Sequence, residues 1–469
     1  MATTFQATPQ QQEFVSRFVA GESLLCRAVA GAGKTSTLVM AFGAAPLAGR
    51  KALALAFNKR NAEELAERLP SNVQSRTLNA LGHKALCDNM SVQPKVDANK
   101  LYRILKEQSW AKEAVEVEGE IIALTRLART LVLSPGVRKL SPPDLEVLAA
   151  AADELGLEYS DRILGCAGEL LGASTLAALS GDLDFDDQLY IPVLFNVAFP
   201  KYDLIAVDEV QDLSPLQHEM IRRSVTKDGQ VVGVGDPNQA IYAFRGADSA
   251  SFEKFGETFN CGHVGLTASF RCPRAIVEEA KKYVPDIEAA SSSVGLVRTI
   301  RTPPVPKVRE TVLARYNAPL VDFAFRALRN GVPVNYQGRD FIKGIRNIHK
   351  KYPTSEALAE WAEKATAKAK SPKAKRGVED RYQSLLALHK DGAGGIEDAL
   401  KKMEGVPAAH AAVLSTVHKA KGLEWRNVTI LDYNRMDTHE GQEQNIAYVA
   451  VTRAKECLTL HEVLKKGKN

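Results

Sequence analysis

The amino-acid sequence predicts an α/β fold of two units, each built on a parallel sheet. Runs such as residues 51–57 and 202–210 are apolar without the polar alternation of a half-buried strand, which is typical of parallel strands covered on both faces. Helical patterns follow these runs, and the alternation occurs in each half of the 469-residue chain. The predicted strands are residues 23–30, 51–57, 202–210, 230–236, 263–270, 311–317, 412–418, 427–433 and 457–463.

Two segments interrupt this alternation and are predicted to be helical insertions. Residues 86–185 and residues 341–408 carry helical patterns and few strand-like runs. We therefore assign the first α/β unit to residues 1–85 and 186–265, and the second to residues 266–340 and 409–469.

Composition narrows the class of protein without naming a function. The net charge of +5 permits a nucleic-acid partner but does not require one. Six cysteines form no C-x-x-C pair, which predicts free thiols in a reducing compartment. The polar N-terminal stretch is not a signal peptide, and no run of 18 apolar residues predicts a membrane span. We expect a cytoplasmic protein, or a nuclear one in a eukaryote, with no membrane partner.

Residues 28–35, AVAGAGKT, have the composition of a phosphate-binding loop. A predicted strand precedes the loop and a helix follows it, and its glycines let backbone N–H groups face phosphates. Lys34 would reach the β- and γ-phosphates of ATP, and the Thr35 hydroxyl would bind Mg²⁺. Ala28 stands where the strict pattern has its first glycine. The flanking strand and helix nevertheless favour a phosphate loop over a chance glycine-rich turn.

An acidic pair, Asp208 and Glu209, closes the predicted strand at residues 202–210. Asp208 would hold the magnesium ion, and Glu209 would orient or deprotonate the attacking water. An acidic strand end can also be the solvated start of a helix. Together with Lys34 and Thr35, the pair predicts a site for ATP and Mg²⁺.

Transfer of the γ-phosphoryl group spreads negative charge over its oxygens, so arginines are expected to reach the nucleotide. The second unit offers Arg271 in SFRCPRAI and Arg453 in YVAVTRAK. If both reach the nucleotide, it lies in a cleft between the two units that hydrolysis opens and closes. Either arginine alone would be interpreted as a partner in a surface salt bridge.

In their order and residue identity these motifs resemble superfamily 1A DNA helicases of the UvrD/Rep/PcrA type. The pattern from AFNK (56–59) to LPSNVQSRTLNALGHKAL (69–86) is most similar to the compact branch that includes the F-box DNA helicases and phage-sized relatives. The resemblance extends from Thr8 to Lys455. The matching stretches are TPQQ (8–11), AGAGKT (30–35), AFNKRNAEEL (56–65), TLNALGHKAL (77–86), DFDDQL (184–189), VDEVQD (207–212), VGDPNQAIYAFRGA (234–247), LTASFRCPRAI (266–276), LSTVHKAKGLEW (414–425) and YVAVTRAKECL (448–458).

The resemblance implies two RecA-like P-loop domains, 1A and 2A, with parallel sheets, a helical insertion 1B at residues 86–185 and a reduced insertion 2B at residues 341–408. It implies ATP hydrolysis with Mg²⁺ that drives 3′→5′ movement on single-stranded DNA, with single-stranded DNA and junctions of single- and double-stranded DNA as partners. The small 2B segment leaves open whether this chain shares the duplex and partner contacts of longer relatives.

The same resemblance assigns roles around the nucleotide. Gln239 would couple the γ-phosphate to DNA, and Arg271 and Arg453 would bind the γ-phosphate, Arg453 as the arginine finger. Phe270 stands where the family has an adenine-stacking tyrosine, and Glu424 would bind the ribose. The predicted nucleotide set is Gln11 (the adenine reader), Ala30, Gly31, Ala32, Gly33, Lys34, Thr35, Ser36, Phe270, Arg271, Glu424 and Arg453. The predicted catalytic set is Lys34, Asp208, Glu209, Gln239, Arg271 and Arg453, and the metal ligands are Thr35 and Asp208.

A track for single-stranded DNA needs aromatic faces for bases and hydrogen-bond donors for phosphates. The residues that match or adjoin DNA-contacting positions of the family are Phe57, Asn58, His83, Tyr242, Phe244, Arg245 and His418. Phe244 stands where the family has a tryptophan. Phe57 or Tyr242, taken singly, would be interpreted as a core aromatic residue.

Several departures and alternatives stay open. Ser36 stands where many relatives have arginine, and the motif at residues 56–65 is one residue shorter than its common form. Residues 364–376 hold six Lys or Arg and no acid, which suits either a contact to duplex DNA or a solvated loop. A translocase that strips proteins from DNA, or a nucleotide-gated module that binds single strands, would carry the same motifs, and RNA is a less favoured track. The short segment after residue 458 disfavours an attached nuclease.

Overall fold

The computed structural model describes residues 7–136, 139–155, 157–241, 250–369, 372–389, 396–403, 406–436 and 441–463. The chain forms two compact units. The first comprises Met1–Ala28 and Gly33–Leu266, and the second comprises Val29–Ala32 and Thr267–Asn469.

The first unit contains one large sheet and most of the helices that surround it. Its strands are β1 (Leu24–Ala28), β2 (Ala52–Ala56), β3 (Val73–Thr77), β4 (Lys95–Val96), β5 (Asp182–Leu183), β6 (Tyr202–Asp208), β7 (Val225–Gly235) and β8 (Gly262–Leu266). Its helices are α1 (Pro9–Val19), α2 (Lys34–Ala44), α3 (Lys59–Arg68), α4 (Leu78–Asn89), α5 (Lys100–Glu107), α6 (Glu118–Thr130), α7 (Pro142–Leu155), α8 (Asp161–Leu179), α9 (Asp187–Leu194), α10 (Pro215–Ser224) and α11 (Ser251–Thr258). Six strands pair in parallel in the order β3-β2-β6-β7-β1-β8.

The second unit repeats this architecture around its own sheet. Its strands are β9 (Ala268–Ser269), β10 (Glu288–Ala289), β11 (Leu296–Ile300), β12 (Thr311–Ala314), β13 (Val334–Gln337), β14 (Ala412–Thr416), β15 (Trp425–Ile430) and β16 (Ala454–His461). Its helices are α12 (Arg274–Ala280), α13 (Asn317–Arg329), α14 (Arg339–Lys351), α15 (Ser355–Lys368), α16 (Pro372–His389), α17 (Ile396–Lys402), α18 (Val417–Ala420) and α19 (Gly441–Val451). Six strands again pair in parallel, in the order β11-β16-β15-β12-β14-β13.

The predicted fold class, an α/β protein with two parallel sheets, is confirmed. All five residues of β2 and nearly all of β6 are buried, because helices and loops cover both faces of the central strands. The predicted strand at residues 263–270 is wrong as a single element: it divides at Thr267 into β8 and β9, which belong to different sheets. The proposed boundaries of the four domains stay predictions.

The order of the first sheet decides where its loops meet. Strands β6, β7 and β1 are neighbours and run in the same direction. Their carboxyl ends therefore lie along one edge of the sheet, where ligands of parallel α/β sheets bind. The segment after β1 is the glycine-rich loop, β6 ends at Asp208, and Asp236 follows β7.

A buried ionic cluster joins three of the helices between β4 and β6 to the loop before α9. Lys100 of α5 donates to Asp187 Oδ2 at 2.6 Å, and both side chains are fully buried. Arg129 of α6 donates to both carboxylate oxygens of Asp184 at 2.8 Å and to the hydroxyl of Ser174 in α8 at 2.6 Å. Two cations and two carboxylates thus neutralise each other away from water, where an unmatched charge would be costly.

Replacing Lys100 by methionine should destabilise the protein strongly. The change removes one cation and leaves the carboxylate of Asp187 buried without its nearest partner, so we expect the free energy of unfolding to fall by about 3–5 kcal/mol. Urea denaturation measures the change. Lys106→Met, at an exposed position on the same helix, is the matched control. Equal unfolding midpoints for the two variants would contradict a stabilising role for the cluster.

Helix α8 meets the length and hydropathy of a membrane span, with 19 residues and a mean hydropathy of 1.2. Its sequence includes Asp161, Arg162 and Glu169, so it is not a continuous apolar run. More than half of the 18-residue stretch that meets this test is buried in the structure, and the helix packs against α5, α6 and α7. The core helix of a folded domain meets the same test, so α8 gives only weak evidence for a membrane span.

Candidate nucleotide site and nucleic-acid surface

The glycine-rich loop connects β1 to α2 by way of two left-handed glycines. Gly31 has φ 76° and Gly33 has φ 79°, a region that other residues rarely adopt. Gly33 is the N-cap of α2 and carries no side chain that could cap the helix. The N–H groups of the first turn and the positive end of the helix dipole are thus presented to an anion.

Four side chains of the first unit converge at this loop, as the sequence predicted they would lie together. Lys34 Nζ lies 3.6 Å from Glu209 Oε1, with the lysine side chain only 12% exposed. The Thr35 hydroxyl donates to Asp208 Oδ2 at 3.2 Å. The basic, hydroxyl and acidic groups that phosphate and magnesium chemistry needs are therefore within one cluster.

The electrostatics of the cluster suit a divalent cation. Burial raises the pKa of Asp208 to about 7, and repulsion from the neighbouring carboxylate of Glu209 adds to the rise, while Lys34 opposes it. A cation beside Asp208 would remove this penalty. A threonine hydroxyl and one carboxylate, completed by water and phosphate oxygens, are the hard oxygen ligands that Mg²⁺ takes. No group of three or more His, Cys, Asp or Glu suited to a metal occurs among the described residues, so a site with only protein ligands is not indicated there.

Gln11 is held in place by the start of α1. Thr8 and Gln11 form a capping box, in which each side chain accepts a hydrogen bond from the other's backbone N–H. The buried amide of Gln11 also donates to the Thr37 hydroxyl of α2 at 3.0 Å. The predicted adenine reader is thus fixed directly to the helix that begins at the phosphate loop.

Ser36 has a partner that the sequence did not indicate. Its hydroxyl accepts a hydrogen bond from Arg68 Nη2, at the end of α3, at 2.9 Å. No motif connects these two positions, so only the fold could reveal the pair.

Residues Val29–Ala32 of the loop belong to the second unit and pack against other residues of that unit. The Ala30 N–H donates to the Tyr448 hydroxyl at 2.8 Å, and the Ser269 hydroxyl donates to the Ala30 carbonyl at 2.7 Å. A Cβ on Gly31 would lie 2.5 Å from the Cβ of Arg271. Gly31 is therefore required both for its φ and for its lack of a side chain. Ala32, the last of these residues, is buried.

The predicted nucleotide residues of the second unit form a connected group. Arg271 Nε donates to Glu424 Oε2 at 2.6 Å, and Lys455 donates to the other oxygen at 2.9 Å. Burial acts to raise the pKa of Glu424, but these two cations outweigh it, so the pKa is lowered and the carboxylate is charged. Phe270, next to Arg271, is 41% exposed and could present its ring to a ligand.

Arg453 is almost fully buried in the second unit. Its guanidinium donates to the carbonyl of Val449 at 2.9 Å, to the carbonyl of Leu423 at 3.2 Å and to the hydroxyl of Thr452 at 3.1 Å. The carbonyl of Thr452 accepts from Arg271 at 3.4 Å. The two predicted γ-phosphate arginines therefore both donate to Thr452, one to its carbonyl and the other to its hydroxyl.

The predicted DNA residues of the first unit differ in their surroundings. Phe57 is 44% exposed, and the adjacent Asn58 caps α3 by accepting from the Asn61 N–H at 2.8 Å. His83 is half-buried in α4, with its ring nitrogens 3.5 Å from Cys87 Sγ and from Gln188 Nε2. In the second unit His418 lies in the short helix α18 and is half-buried. Tyr242, Phe244 and Arg245 lie outside the described residues.

A cleft of about 640 Å³ in the first unit brings together further candidates for DNA contact. Phe57 lines it together with Phe185, which is 58% exposed, and the half-exposed Arg126. His83 is not among the residues that line this cleft. Phe185 belongs to the matching stretch DFDDQL at residues 184–189, which is the signal for it in the sequence, but the resemblance assigns this residue no role.

Comparison with known proteins places these features in a family. The model of the UvrD/REP helicase N-terminal domain matches residues 7–260, and that of the UvrD-like helicase C-terminal domain matches residues 411–461. F-box DNA helicase protein 1 of Schizosaccharomyces pombe is 26% identical over 95% of this chain and 56% of that protein. F-box DNA helicase 1 of Gallus gallus is 25% identical over 98% of this chain and 49% of that protein. DNA helicase II of Haemophilus influenzae is 31% identical over 20% of this chain and 13% of that protein. The chain spans about half the length of the two F-box relatives.

Proposed function

The chain belongs to the UvrD/REP helicase family, and on that premise we propose that it is an ATP-dependent DNA helicase that moves 3′→5′ on single-stranded DNA and unwinds duplex DNA. The observation that carries the proposal is the cluster of Lys34, Thr35, Asp208 and Glu209 at the carboxyl edge of a parallel sheet. Its donor set fits ATP and Mg²⁺, and the contacts among its members support a shared role in hydrolysis.

The residues of the first unit divide the chemistry among them. Bound Mg²⁺–ATP supplies the phosphoanhydride bond whose hydrolysis drives movement. Thr35 and Asp208 hold the metal, and Lys34 neutralises phosphate charge. Lys34 Nζ lies 3.6 Å from Glu209 Oε1. A lysine drawn toward phosphates would leave the Glu209 carboxylate able to accept a proton from water.

We assign the contact with single-stranded DNA to exposed aromatic side chains of the first unit together with the motif residues of both units. Phe57 and Phe185 present aromatic faces in one cleft, which Arg126 also lines, paired with Asp186 at 3.3 Å. Stacking of bases on such faces is tolerant of sequence and is worth about 1–3 kcal/mol for each base. We therefore expect binding that depends little on base identity.

ATP hydrolysis tests this proposal directly. Turnover would be measured without nucleic acid, with single-stranded DNA, with duplex DNA and with single-stranded RNA, using Glu209→Gln as the blank. Strong stimulation by single-stranded DNA supports the motor, and unwinding of substrates with either a 3′ or a 5′ tail then tests polarity. Turnover that no nucleic acid stimulates, and that is no higher than the blank, would reject a motor and favour a nucleotide-gated binding module. Stimulated turnover without unwinding would favour a translocase that displaces proteins.

The basic segment at residues 364–376 gives a separate prediction about duplex DNA. Lys375 and Arg376 are exposed in the first turn of α16, whereas Lys364 pairs with Glu360 on α15. If this surface neutralises duplex phosphates, Lys375→Ala/Arg376→Ala should reduce the slope of log affinity against log salt by about 2.

Fluorescence anisotropy with a duplex, measured over a range of salt concentrations, gives this slope. Lys281→Ala/Lys282→Ala removes the same charge from the two residues that follow α12, and is the matched control. An unchanged slope in the Lys375/Arg376 variant would assign the segment to a solvated surface instead.

A further inference from the structure

Gln211 connects the ends of two neighbouring strands at the candidate ATP site. It lies in a short 3₁₀ turn, Val210–Asp212, directly after Glu209, and is 1% exposed. Its side-chain amide nitrogen donates to Glu209 Oε2 at 2.5 Å, and its amide oxygen accepts from the Asp236 N–H at 3.0 Å. One amide thus joins the carboxyl end of β6 to the carboxyl end of β7.

The backbone at Gly235 and at Glu209 permits the side chain of Gln211 to connect the two strand ends. A Cβ on Gly235 would lie 2.4 Å from Gln211 Oε1, so glycine at this position leaves room for the amide to reach the strand. Glu209 has φ 58° and ψ 45°, a left-handed conformation that a residue with a side chain adopts only when its surroundings impose it. The Glu209 N–H donates to Asp208 Oδ1 at 3.0 Å. Hydrogen bonds therefore hold Glu209 both at its backbone N–H and at its side-chain carboxylate.

On the far side of the bridge, the hydrogen bonds continue to Gln239. The carboxylate of Asp236, which is buried, accepts from the Asn238 N–H at 3.1 Å and from Gln239 Nε2 at 2.7 Å. Gln239 is the residue for which the sequence predicts a role between phosphate and DNA. A continuous path of hydrogen-bonded groups thus runs from Gln239 through Asp236 and Gln211 to Glu209.

We propose that Gln211 is a positioning residue for ATP hydrolysis: its amide fixes one oxygen of the Glu209 carboxylate and ties the orientation of that carboxylate to the turn at residues 237–239. The inference rests on the proposed function, in which Glu209 activates water. With Oε2 engaged by the amide, Oε1, on the side of Lys34, is the oxygen that can accept a proton from water. A shift of the turn would be transmitted to Glu209 through a single amide.

If the amide of Gln211 were only structural, its loss would affect stability and not catalysis. Gln230 is a control for this alternative. Gln230 is equally well buried in the same strand as Gly235, donates to the carbonyls of Phe18 and Glu22 and accepts from Arg50. It lies at the middle of β7, away from the loop that follows the strand. Gln230→Ala therefore matches Gln211→Ala in the loss of a buried amide, but not in contact with Glu209.

The experiment compares Gln211→Ala and Gly235→Ala with Gln230→Ala. The measurements are kcat and KM for ATP with single-stranded DNA, the affinity for fluorescent ADP, the affinity for ADP–aluminium fluoride and the melting temperature. We expect Gln211→Ala to lower kcat about 10- to 100-fold and to weaken binding of the transition-state analogue, with KM and ADP affinity unchanged. Gly235→Ala retains Gln211 but displaces its amide, so it should show the same pattern.

Gln230→Ala should lower the melting temperature and retain wild-type kcat. A wild-type kcat in Gln211→Ala, or an equal loss of kcat in Gln230→Ala, would overturn the inference while the proposed function stands. If nucleic acid stimulates ATP hydrolysis neither in the wild-type protein nor in Glu209→Gln, both the proposed function and the inference fail.

Discussion

Replacing Lys34 by alanine or Glu209 by glutamine is expected to abolish ATP turnover and to leave binding of single-stranded DNA largely intact. Lys34 carries the positive charge of the candidate phosphate loop, and Glu209, 3.6 Å from that lysine, is the carboxylate that we propose as the general base. Loss of a general base alone costs about 10²–10⁴-fold in rate. Steady-state hydrolysis with saturating single-stranded DNA measures the loss.

The two variants should differ in how they bind nucleotide. Lys34→Ala removes a phosphate contact, so the affinity for ATP should fall together with kcat. Glu209→Gln keeps the shape of the side chain and removes its charge, so ATP should bind and remain unhydrolysed. Fluorescence anisotropy with labelled single-stranded DNA is the control for folding and for the DNA surface. If Glu209→Gln turned over ATP at the wild-type rate, Glu209 would not be the base.

The sequence predicts the strands at the centre of each sheet much better than those at the edges. The strands that the apolar runs missed include β3, β11 and β13, and each of these lies at an edge of its six-stranded sheet. An edge strand has one neighbour instead of two and leaves part of its surface in water, so its residues need not be apolar. The half-exposed residues of β3, VQSRT, and of β11, LVRTI, contain no run from which a strand could be predicted.

Some contacts of the candidate ATP site can likewise be predicted from sequence motifs, whereas others are revealed only by the fold. Lys34, Thr35, Asp208 and Glu209 follow strand ends, so their convergence can be predicted from the parallel order of β1 and β6. The contact from Arg68 to Ser36 joins the end of one helix to the start of another, 32 residues away. No periodicity or spacing encodes such a pair, because it depends on the packing of α3 beside α2.

Gln211 is an intermediate case. It is part of the motif VDEVQD, but the motif does not reveal that its amide faces two strands at once. The space that Gly235 leaves beside Gln211 reveals this arrangement, and it can be recognised only when the alignment of β6 and β7 is known. Sequence reasoning therefore finds the groups that carry chemistry, and the structure supplies the groups that orient them.

Replacing Arg453 by alanine is expected to lower turnover by about 10³-fold or more, as loss of an arginine finger does. The reason is electrostatic: the guanidinium would stabilise negative charge that develops on the γ-phosphate oxygens. Arg453→Lys keeps the charge but not the planar group that can donate to several oxygens, so it should recover only part of the rate. Single-turnover hydrolysis separates this loss of chemistry from slow release of products.

The buried position of Arg453 makes a control for stability necessary. Its guanidinium also donates to the carbonyls of Val449 and Leu423, so its removal is expected to lower the melting temperature of the second unit. Arg298→Ala, which removes an exposed arginine from β11, is the control for loss of an arginine in that unit. Folded Arg453→Ala with normal turnover would refute the assignment as arginine finger. Folded protein that binds ADP and single-stranded DNA but hydrolyses ATP slowly would support it, because a structural defect alone would weaken binding as well.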